Sequence, residues 1–472
     1  MTYSRRTGFP KKQVHLAAGF PGVNHWTVWS DPRSGSQTDF ASFVHLAETA
    51  ERGKFDFFFL AEGLRLREHL GRLHDLDVAG RPNTLTVLAA LAAVTERIGL
   101  VGTLSSTFNE PYDLARQLAT VDHLSDGRAG WNVVTSSDAF HGANFRRGGY
   151  LDKADRYTRA AEFVAASRRL WDSWSADALV GDQPTGAFLS DPDIGRYTFG
   201  GEHFDIAGRF TVPRSPQGHP VLVQAGDSAE GRDFAARTVD VVFSAHAELE
   251  PARSFYADVT RRVVAAGRNP DSVLVLPGAG FVLGDSTSDA RDRAREVALA
   301  QVGPETARAQ LEQVWGAELP DLDPDGPVPA PPTSHDTTIR LGQARHAIDP
   351  LAQARRWYDR ATTEGLTVRE LVIAETTRHT FVGTAAEVAG QIDHAVQTEA
   401  ADGYILSGHI TPTGLDEFVD TVVPELQDRG VFRTEYEGTT LRDHLGLGAP
   451  TATTLPTDRT AVSRPTVVGA TA

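Results

Sequence analysis

Short, nearly continuous apolar runs alternate with helical patterns along most of the chain. A run such as "PVLVQAG" is apolar on both faces of a strand, which is typical of a parallel sheet covered by helices on one side and filled on the other. Strands of this kind, joined by right-handed helical crossovers, predict an α/β fold. The eight strand candidates are residues 13–20, 55–62, 98–106, 129–136, 220–226, 239–245, 272–284 and 402–410.

Eight strand and helix units favour one closed architecture. Helical patterns lie between the apolar runs, as in residues 39–55, 111–128 and 415–430. This number of units predicts a TIM (β/α)8 barrel, and an open doubly wound sheet is the alternative. A chain of 472 residues is long for one domain, but an elaborated barrel reaches this size. We therefore predict a single barrel domain over residues 1–447.

Two segments are longer than ordinary barrel loops, and we predict both as insertions. Residues 175–219 are rich in Gly, Pro and Asp, and residues 303–345 contain "ELPDLDPDGPVPAPPTSHD". The composition of the second is typical of a mobile segment, which could be either a lid or a solvated connector. Residues 448–472, rich in Thr, Pro and Ala without periodicity, are predicted to be a disordered tail.

Composition excludes several classes of protein. The formal net charge of -16, without a basic run, argues against nucleic-acid binding. No apolar run reaches the roughly 18 residues that span a bilayer, and the N-terminus lacks the apolar core of a signal peptide. We therefore expect a soluble cytoplasmic protein without membrane contact, forming a homo-oligomer, either a dimer or a tetramer. The absence of Cys excludes thiolate metal sites, and we predict no metal centre.

The stretch "QAGDSAEGRDFAAR" (224–237) passes from a buried strand directly into a helical pattern. In a barrel this helix begins at the carboxyl end of the strand, so the unpaired N–H groups of residues 227–230 point into the mouth. Gly226 permits a tight turn, Ser228 offers a hydroxyl, and the helix dipole favours an anion such as a phosphate. An ordinary Ser or Asp cap is the alternative, and Asp227 opposes a phosphate unless its carboxylate turns away.

Polar residues at other predicted strand ends would share this mouth. Asn132 could present a planar amide edge to the pyrimidine ring of a flavin, although a turn-capping role is the alternative. Tyr157, in the first turn of the following helix, could reach the same phosphate with its hydroxyl. Together these groups describe a polar-rimmed pocket with an anion clamp. The candidates at the strand ends are Glu62, Thr103, Asn132, Ser136 and Ser137.

Long stretches, among them "STFNEPYDLARQLATVDHLSDGRAGWNVVTS" and "HFDIAGRFTVPRSPQGHPVLVQAGDSAEGRDFAAR", resemble the bacterial luciferase-like flavin monooxygenases. The resemblance is to the branch of nitrilotriacetate, dibenzothiophene-sulfone and long-chain alkane monooxygenases, in the family's order over about residues 13–445. It implies a TIM barrel that oxygenates a small organic substrate with reduced FMN and O2. A separate NAD(P)H-dependent flavin reductase would supply the reduced FMN, which reacts with O2 to give a C4a-peroxide that the protein shields from water.

The resemblance also implies roles for individual residues. Asp227, Ser228 and Tyr157 match positions that hold the FMN phosphate. His25 is the candidate catalytic proton donor, although the N-terminal histidine of relatives does not align cleanly with it. Some relatives carry histidine at the position of Ser137. The positions that match contacts to the flavin ring are Glu62, Thr103 and Asn132.

Three other functions are weighed against this one. A barrel glycosidase needs two carboxylates at strand ends, and only Glu62 is a convincing candidate. A deazaflavin-dependent oxidoreductase and a non-catalytic flavin-binding protein share the fold and remain alternatives. No G-x-G-x-x-G stretch follows a strand and opens a helix, so we predict no nicotinamide-binding domain and a reductant delivered from outside the chain.

Overall fold

A computed structural model describes residues 11–74, 81–136, 139–146, 155–246, 248–341, 349–377 and 379–450. Among these residues, no helix is long and apolar enough to cross a membrane. The strands are β1 (His15–Gly19), β2 (Phe57–Leu60), β3 (Glu68–His69), β4 (Gly99–Ser105), β5 (Ala129–Val134), β6 (Leu179–Asp182), β7 (Ala187–Leu189), β8 (Arg196–Gly200), β9 (Asp205–Arg209), β10 (Val221–Gln224), β11 (Val241–Ser244), β12 (Leu274–Leu283), β13 (Arg340–Leu341), β14 (His379–Gly383) and β15 (Gly403–Ser407). The α-helices are α1 (Phe40–Arg52), α2 (Thr84–Ala92), α3 (Pro111–Leu124), α4 (Ala139–Arg146), α5 (Arg156–Trp171), α6 (Ala229–Thr238), α7 (Leu249–Ala265), α8 (Thr287–Gln301), α9 (Pro304–Trp315), α10 (Pro350–Glu364), α11 (Val368–Thr376), α12 (Ala385–Gln397), α13 (Asp416–Asp428) and α14 (Leu441–His444).

Eight of the described strands close a parallel barrel, in the order β1, β2, β4, β5, β10, β11, β12 and β15. The circle closes where β15 pairs with β1, with Gly403 opposite His15. These are the eight strands that the sequence predicts, each within two residues of the predicted start. The TIM barrel is therefore confirmed, and the alternative of an open doubly wound sheet is wrong because β11 also pairs with β12.

A ninth strand in this sheet, β14, extends the barrel wall beyond its mouth. The first half of β12 pairs with β11, and residues around Gly278 pair with β15. After a register shift between Gly280 and Phe281, β12 pairs with β14 instead. The sequence analysis missed β14 because its five residues, "HTFVG", are too short and too polar to stand out as an apolar run.

The C-terminal helix α14 closes the N-terminal end of the barrel. Leu441 is fully buried in one cluster with barrel-interior residues such as Phe57 and Val101. Gly99 and Gly130, at the starts of β4 and β5, leave the space that it fills, since a Cβ on Gly99 would lie 2.5 Å from Leu441 Cδ1. The interior of the barrel is thus a packed core, and α14 covers it at the N-terminal ends of the strands.

Buried carboxylates accept hydrogen bonds from strand backbones at this same end. Asp240, for example, accepts the N–H of Leu222 at 3.0 Å. A carboxylate buried without a partner would be strongly destabilising, and three of these carboxylates have a cationic partner. The ion pairs are Asp56–Arg433 at 2.6 Å, Asp240–Arg442 at 3.1 Å and Asp402–Lys12 at 2.8 Å.

The first predicted insertion, 175–219, forms two antiparallel hairpins, β6–β7 and β8–β9. The second hairpin packs on α5, where Phe204 meets Phe163 edge to face at 5.6 Å between ring centroids.

The second predicted insertion, 303–345, contains α9, which packs with α10 and α11 around Trp315 and Trp357. Its Pro-rich stretch packs on this unit, where Trp315 Nε1 donates to the Pro329 carbonyl at 3.2 Å. The stretch is only partly buried against these helices, and its role as a lid or as a solvated connector stays a prediction. The domain bounds 1–447 stay a prediction, and residues 451–472 of the predicted tail lie outside the described residues.

Candidate functional site

A cavity of about 380 Å³ lies at the carboxyl ends of the barrel strands. Much of its wall is aromatic, and the Phe59 and Phe243 rings lie parallel, with 6.1 Å between ring centroids, on strands from opposite sides of the barrel. Phe108 stacks on Phe145 and does not line the cavity. The cavity can therefore hold a flat, largely apolar molecule. Of the predicted site residues, those that line it are His25, Glu62, Thr103 and Asn132.

Asn132 and Thr103 form a buried polar pair on neighbouring strands. They lie opposite each other on β5 and β4, and Asn132 Nδ2 donates to Thr103 Oγ1 at 2.9 Å. Within the part of the chain that the structure describes, no donor reaches Asn132 Oδ1. Leaving a buried acceptor unsatisfied costs about 1–3 kcal/mol, which a ligand N–H could recover. The alternative role of Asn132 in capping a turn is wrong, because it lies within β5.

Glu62 follows β2 at the cavity wall and accepts a hydrogen bond from the backbone N–H of Ser105. Burial raises the pKa of the Glu62 carboxyl to about 7, and the Ser105 N–H only partly opposes this shift. Near neutral pH the side chain therefore exists in both protonation states. It can donate a hydrogen bond to a ligand in one state and accept one in the other.

This pKa predicts a pH-dependent stability. The folded state binds the Glu62 proton more tightly than the unfolded state does, because the pKa of Glu62 is higher in the folded protein. The contribution of Glu62 to the stability of the fold is therefore fully present below pH 4.5, its ordinary pKa, and is lost as the pH rises through about 7. The free energy of unfolding of Glu62→Gln, taken relative to that of the wild type, should increase by on the order of 2 kcal/mol from about pH 5 to about pH 8. Urea unfolding of the ligand-free proteins at both pH values measures this gain. Glu48→Gln, on the exposed side of α1, is the control, and an equal gain in that variant would contradict the assignment.

The residues that are predicted to form an anion clamp lie at the start of α6. Ser228 is the N-cap residue, and its Oγ accepts the Gly231 N–H at 3.1 Å. The cap interpretation is thus confirmed for Ser228, while the other N–H groups of the first turn have no backbone acceptor within the helix. Tyr157, on α5, reaches the same turn, since a Cβ on Gly231 would lie 2.7 Å from its hydroxyl oxygen. Ala225, just before this turn, lines the mouth cavity.

The Asp227 carboxylate is bound by the Arg232 guanidinium and the His246 imidazole. Asp227 Oδ1 lies 2.9 Å from Arg232 Nη2 and 3.0 Å from His246 Nε2. Burial acts to raise the pKa of Asp227, but His246 and Arg232 outweigh it and hold the pKa below its usual range. Because Arg232 and His246 bind the Asp227 carboxylate, its repulsion of a phosphate at the start of α6 is reduced. The exposed Glu230 carboxylate interacts with its own N–H and with the Ser228 hydroxyl, so a bound phosphate would displace it.

The two remaining serine candidates do not join this cavity. Ser136 lies just beyond β5, partly buried, and is not among the lining residues. Ser137 lies outside the described residues.

Gln224, the last residue of β10, directly precedes Ala225 of the cavity wall, and the sequence analysis did not single it out. It is buried, and among the described residues no donor reaches its Oε1 atom. A Cβ on Gly226 would lie 2.1 Å from Gln224 Nε2, so the glycine leaves room for this amide. The sequence contains one signal for Gln224, namely a polar residue directly after the apolar run "PVLV".

Charged and titratable groups from loops and from β14 also line the cavity without a signal in the sequence. Arg81 donates to the carbonyls of Pro21 at 2.9 Å and Ala61 at 3.1 Å. Burial, followed by the charge of Arg67, lowers the pKa of Arg81 to about 10. Burial lowers the pKa of His379 to about 4, so its ring is neutral at the cavity wall.

The fold and this site define a TIM-barrel enzyme with an aromatic, polar-rimmed mouth. Residues 24–402 match the family described as luciferase-like monooxygenase, and the chain belongs to this family. It is similar to nitrilotriacetate monooxygenase component A of Aminobacter aminovorans (40% identity, covering 93% of this chain and 97% of the relative). It is also similar to dibenzothiophene-sulfone monooxygenase of Rhodococcus erythropolis (strain XP) (39%, 93% and 98%). The crystal structure of riboflavin lyase with modified FMN and riboflavin superposes with a TM-score of 0.76 at 30% identity, covering 92% of this chain and 96% of that one. As the sequence predicts, the chain is a flavin-dependent monooxygenase.

Proposed function

We propose that this chain is the oxygenase component of a two-component system that uses reduced FMN and O2 to oxygenate a small organic substrate. A separate NAD(P)H-dependent flavin reductase would supply the reduced FMN. The word "component" in the name of the Aminobacter relative and the FMN of the riboflavin lyase structure support this proposal. The homo-oligomeric state stays a prediction.

The observation that carries the proposal is the buried Asn132 amide oxygen, which lines the mouth without a donor among the described residues. Asn132 Oδ1 can accept an N–H, and flavin rings carry such groups on an otherwise flat apolar body. The start of α6 and the Tyr157 hydroxyl would hold the phosphate. The residues present thus fit FMN, which when bound and reduced supplies the electrons that activate O2.

The residues of the chain position this chemistry and keep water away. The aromatic wall, including Phe20 and Trp26, covers the reacting centre with apolar surface. Glu62, with its pKa of about 7, can hold or release a proton beside the ring. We assign His25, buried next to Trp26 at 4.9 Å between ring centroids, to deliver a proton from its imidazole N–H.

The test is oxygenation that depends on a reductase. We expect the purified protein not to oxidise NADH by itself, since the sequence carries no nicotinamide fingerprint. With a generic flavin reductase, FMN and a panel of sulfur compounds, aminopolycarboxylates and alkyl compounds, it should consume O2 and yield an oxygenated product. Heat-denatured protein with the same reductase is the control. Stoichiometric NADH oxidation by this chain alone would overturn the proposal, and activity only with a deazaflavin would assign the alternative oxidoreductase.

A further inference from the structure

A second cavity, of about 660 Å³, lies at the opposite end of the barrel. Its walls include Pro220, Asp240 and Ser272, which directly precede or closely approach the starts of β10, β11 and β12. The carboxyl ends of these strands carry the mouth cavity described above, so the two cavities are separated by the length of the barrel. TIM-barrel enzymes place their reaction at the carboxyl end, and this base cavity is therefore not part of that site.

The base cavity carries a surplus of positive charge. Of the described residues that line it, four bear guanidinium groups, whereas only Asp240 and Asp271 bear carboxylates. Burial lowers the pKa of His219, so this lining residue adds no charge near neutral pH. A surplus of two positive charges stands out in a chain whose formal net charge is -16. The guanidinium groups belong to Arg168, Arg237, Arg268 and Arg442.

Three of these guanidinium groups are fixed in place by the protein. Arg268 Nη1 donates to the Val239 carbonyl at 2.8 Å, and Arg168 Nη2 donates to the Thr238 carbonyl at 2.5 Å. Arg442 pairs with Asp240. A cation cluster that is already ordered loses little further entropy when it binds an anion.

The fixed cations also repel one another. Burial lowers the pKa of Arg268, the Asp240 carboxylate opposes this, and the charges of Arg168 and Arg442 lower it further. Another carboxylate near these cations, Asp172, is already bound by Arg214 and His219. A dianion between the guanidinium groups would relieve this repulsion.

We propose that the base cavity binds a phosphate group, either as inorganic phosphate or as the phosphoryl group of a small molecule. Guanidinium groups match phosphate oxygens with paired N–H donors, and a phosphate dianion balances the surplus charge. The Ser272 Oγ, a lining hydroxyl without a partner among the described residues, is a further donor. This inference rests on the barrel base and is independent of the proposed flavin chemistry.

The test measures binding of inorganic phosphate and of glycerol 3-phosphate by calorimetry at constant ionic strength, with glycerol as the phosphate-free control. Arg237 is exposed on the last turn of α6, so Arg237→Glu leaves the core intact and removes the charge surplus. We expect it to weaken binding at least tenfold. The matched control Arg355→Glu, at an exposed position of α10, should bind like the wild type. The tighter of the two ligands identifies the source of the phosphate group.

A second variant separates the base cavity from the start of α6. Ser228→Asp places a negative charge at the mouth and should leave phosphate binding at the base unchanged. Loss of phosphate binding in Ser228→Asp, equal binding in Arg237→Glu and wild type, or no binding by the full chain would each overturn the inference.

Discussion

The Ser228→Asp variant is expected to bind reduced FMN at least tenfold more weakly than the wild type and to bind reduced riboflavin equally well. The new carboxylate would face the proposed phosphate site at about 4 Å, where an effective dielectric near 20 gives roughly 4 kcal/mol of repulsion between unit charges. Even a third of this repulsion costs about tenfold in affinity. Because Asp caps a helix as well as Ser does, α6 and the stability of the protein should be preserved. Anaerobic titration with both flavins measures the difference.

Ser228→Asn is the matched control for this experiment. Asn also caps a helix well and adds no charge, so its FMN affinity should stay within about threefold of the wild type. If Ser228→Asp weakens FMN and riboflavin equally, or weakens neither, the start of α6 is only a cap and the phosphate binds elsewhere.

The Leu441→Ala variant is expected to lose about 2–5 kcal/mol of the free energy of unfolding, as large-to-small changes in a packed core do. Leu441 is fully buried at the base of the barrel, and the glycines at 99 and 130 are backbone positions that cannot move in to fill the space it leaves. The mouth lies at the other end of the strands, so flavin affinity should change by less than about twofold. Urea unfolding and flavin titration measure the two quantities on the same protein.

Leu124→Ala provides the control, because Leu124 is 59% exposed at the end of α3. Its free energy of unfolding should stay within about 0.5 kcal/mol of the wild type, as is usual for surface positions. A similar small change in Leu441→Ala would show that α14 does not contribute to the barrel core.

The barrel could be predicted because its strands are buried on both faces. Runs such as that of β10 are apolar throughout, which separates them from the amphipathic helices around them. The polar ends of these runs predicted Glu62, Thr103 and Asn132, since the carboxyl ends of barrel strands meet at one mouth. A Ser that precedes a helical pattern likewise predicted the cap at Ser228.

Other features depend on contacts that local patterns do not encode. The strand β14 exists only because the second half of β12 offers it a pairing edge. The hairpin β6–β7 is exposed along both strands and has no buried period to detect, and in the second hairpin only the five residues of β8 alternate between exposed and buried. The base cavity brings Arg168 and Arg442 together from opposite parts of the sequence, and only the closed barrel makes them neighbours.

The seam between β1 and β15 sets an order of events for the growing polypeptide. His15 is made before its partner Gly403, which follows 388 residues later. At roughly 5–20 residues per second, the first strand waits about 20–80 s for the strand that completes its hydrogen bonding. Leu441, which seals the base, leaves the ribosome later still. A flavin-binding mouth therefore forms only after β15 has been made, and a truncated chain that lacks β15 and α14 would present the apolar edge of β1 to chaperones and proteases.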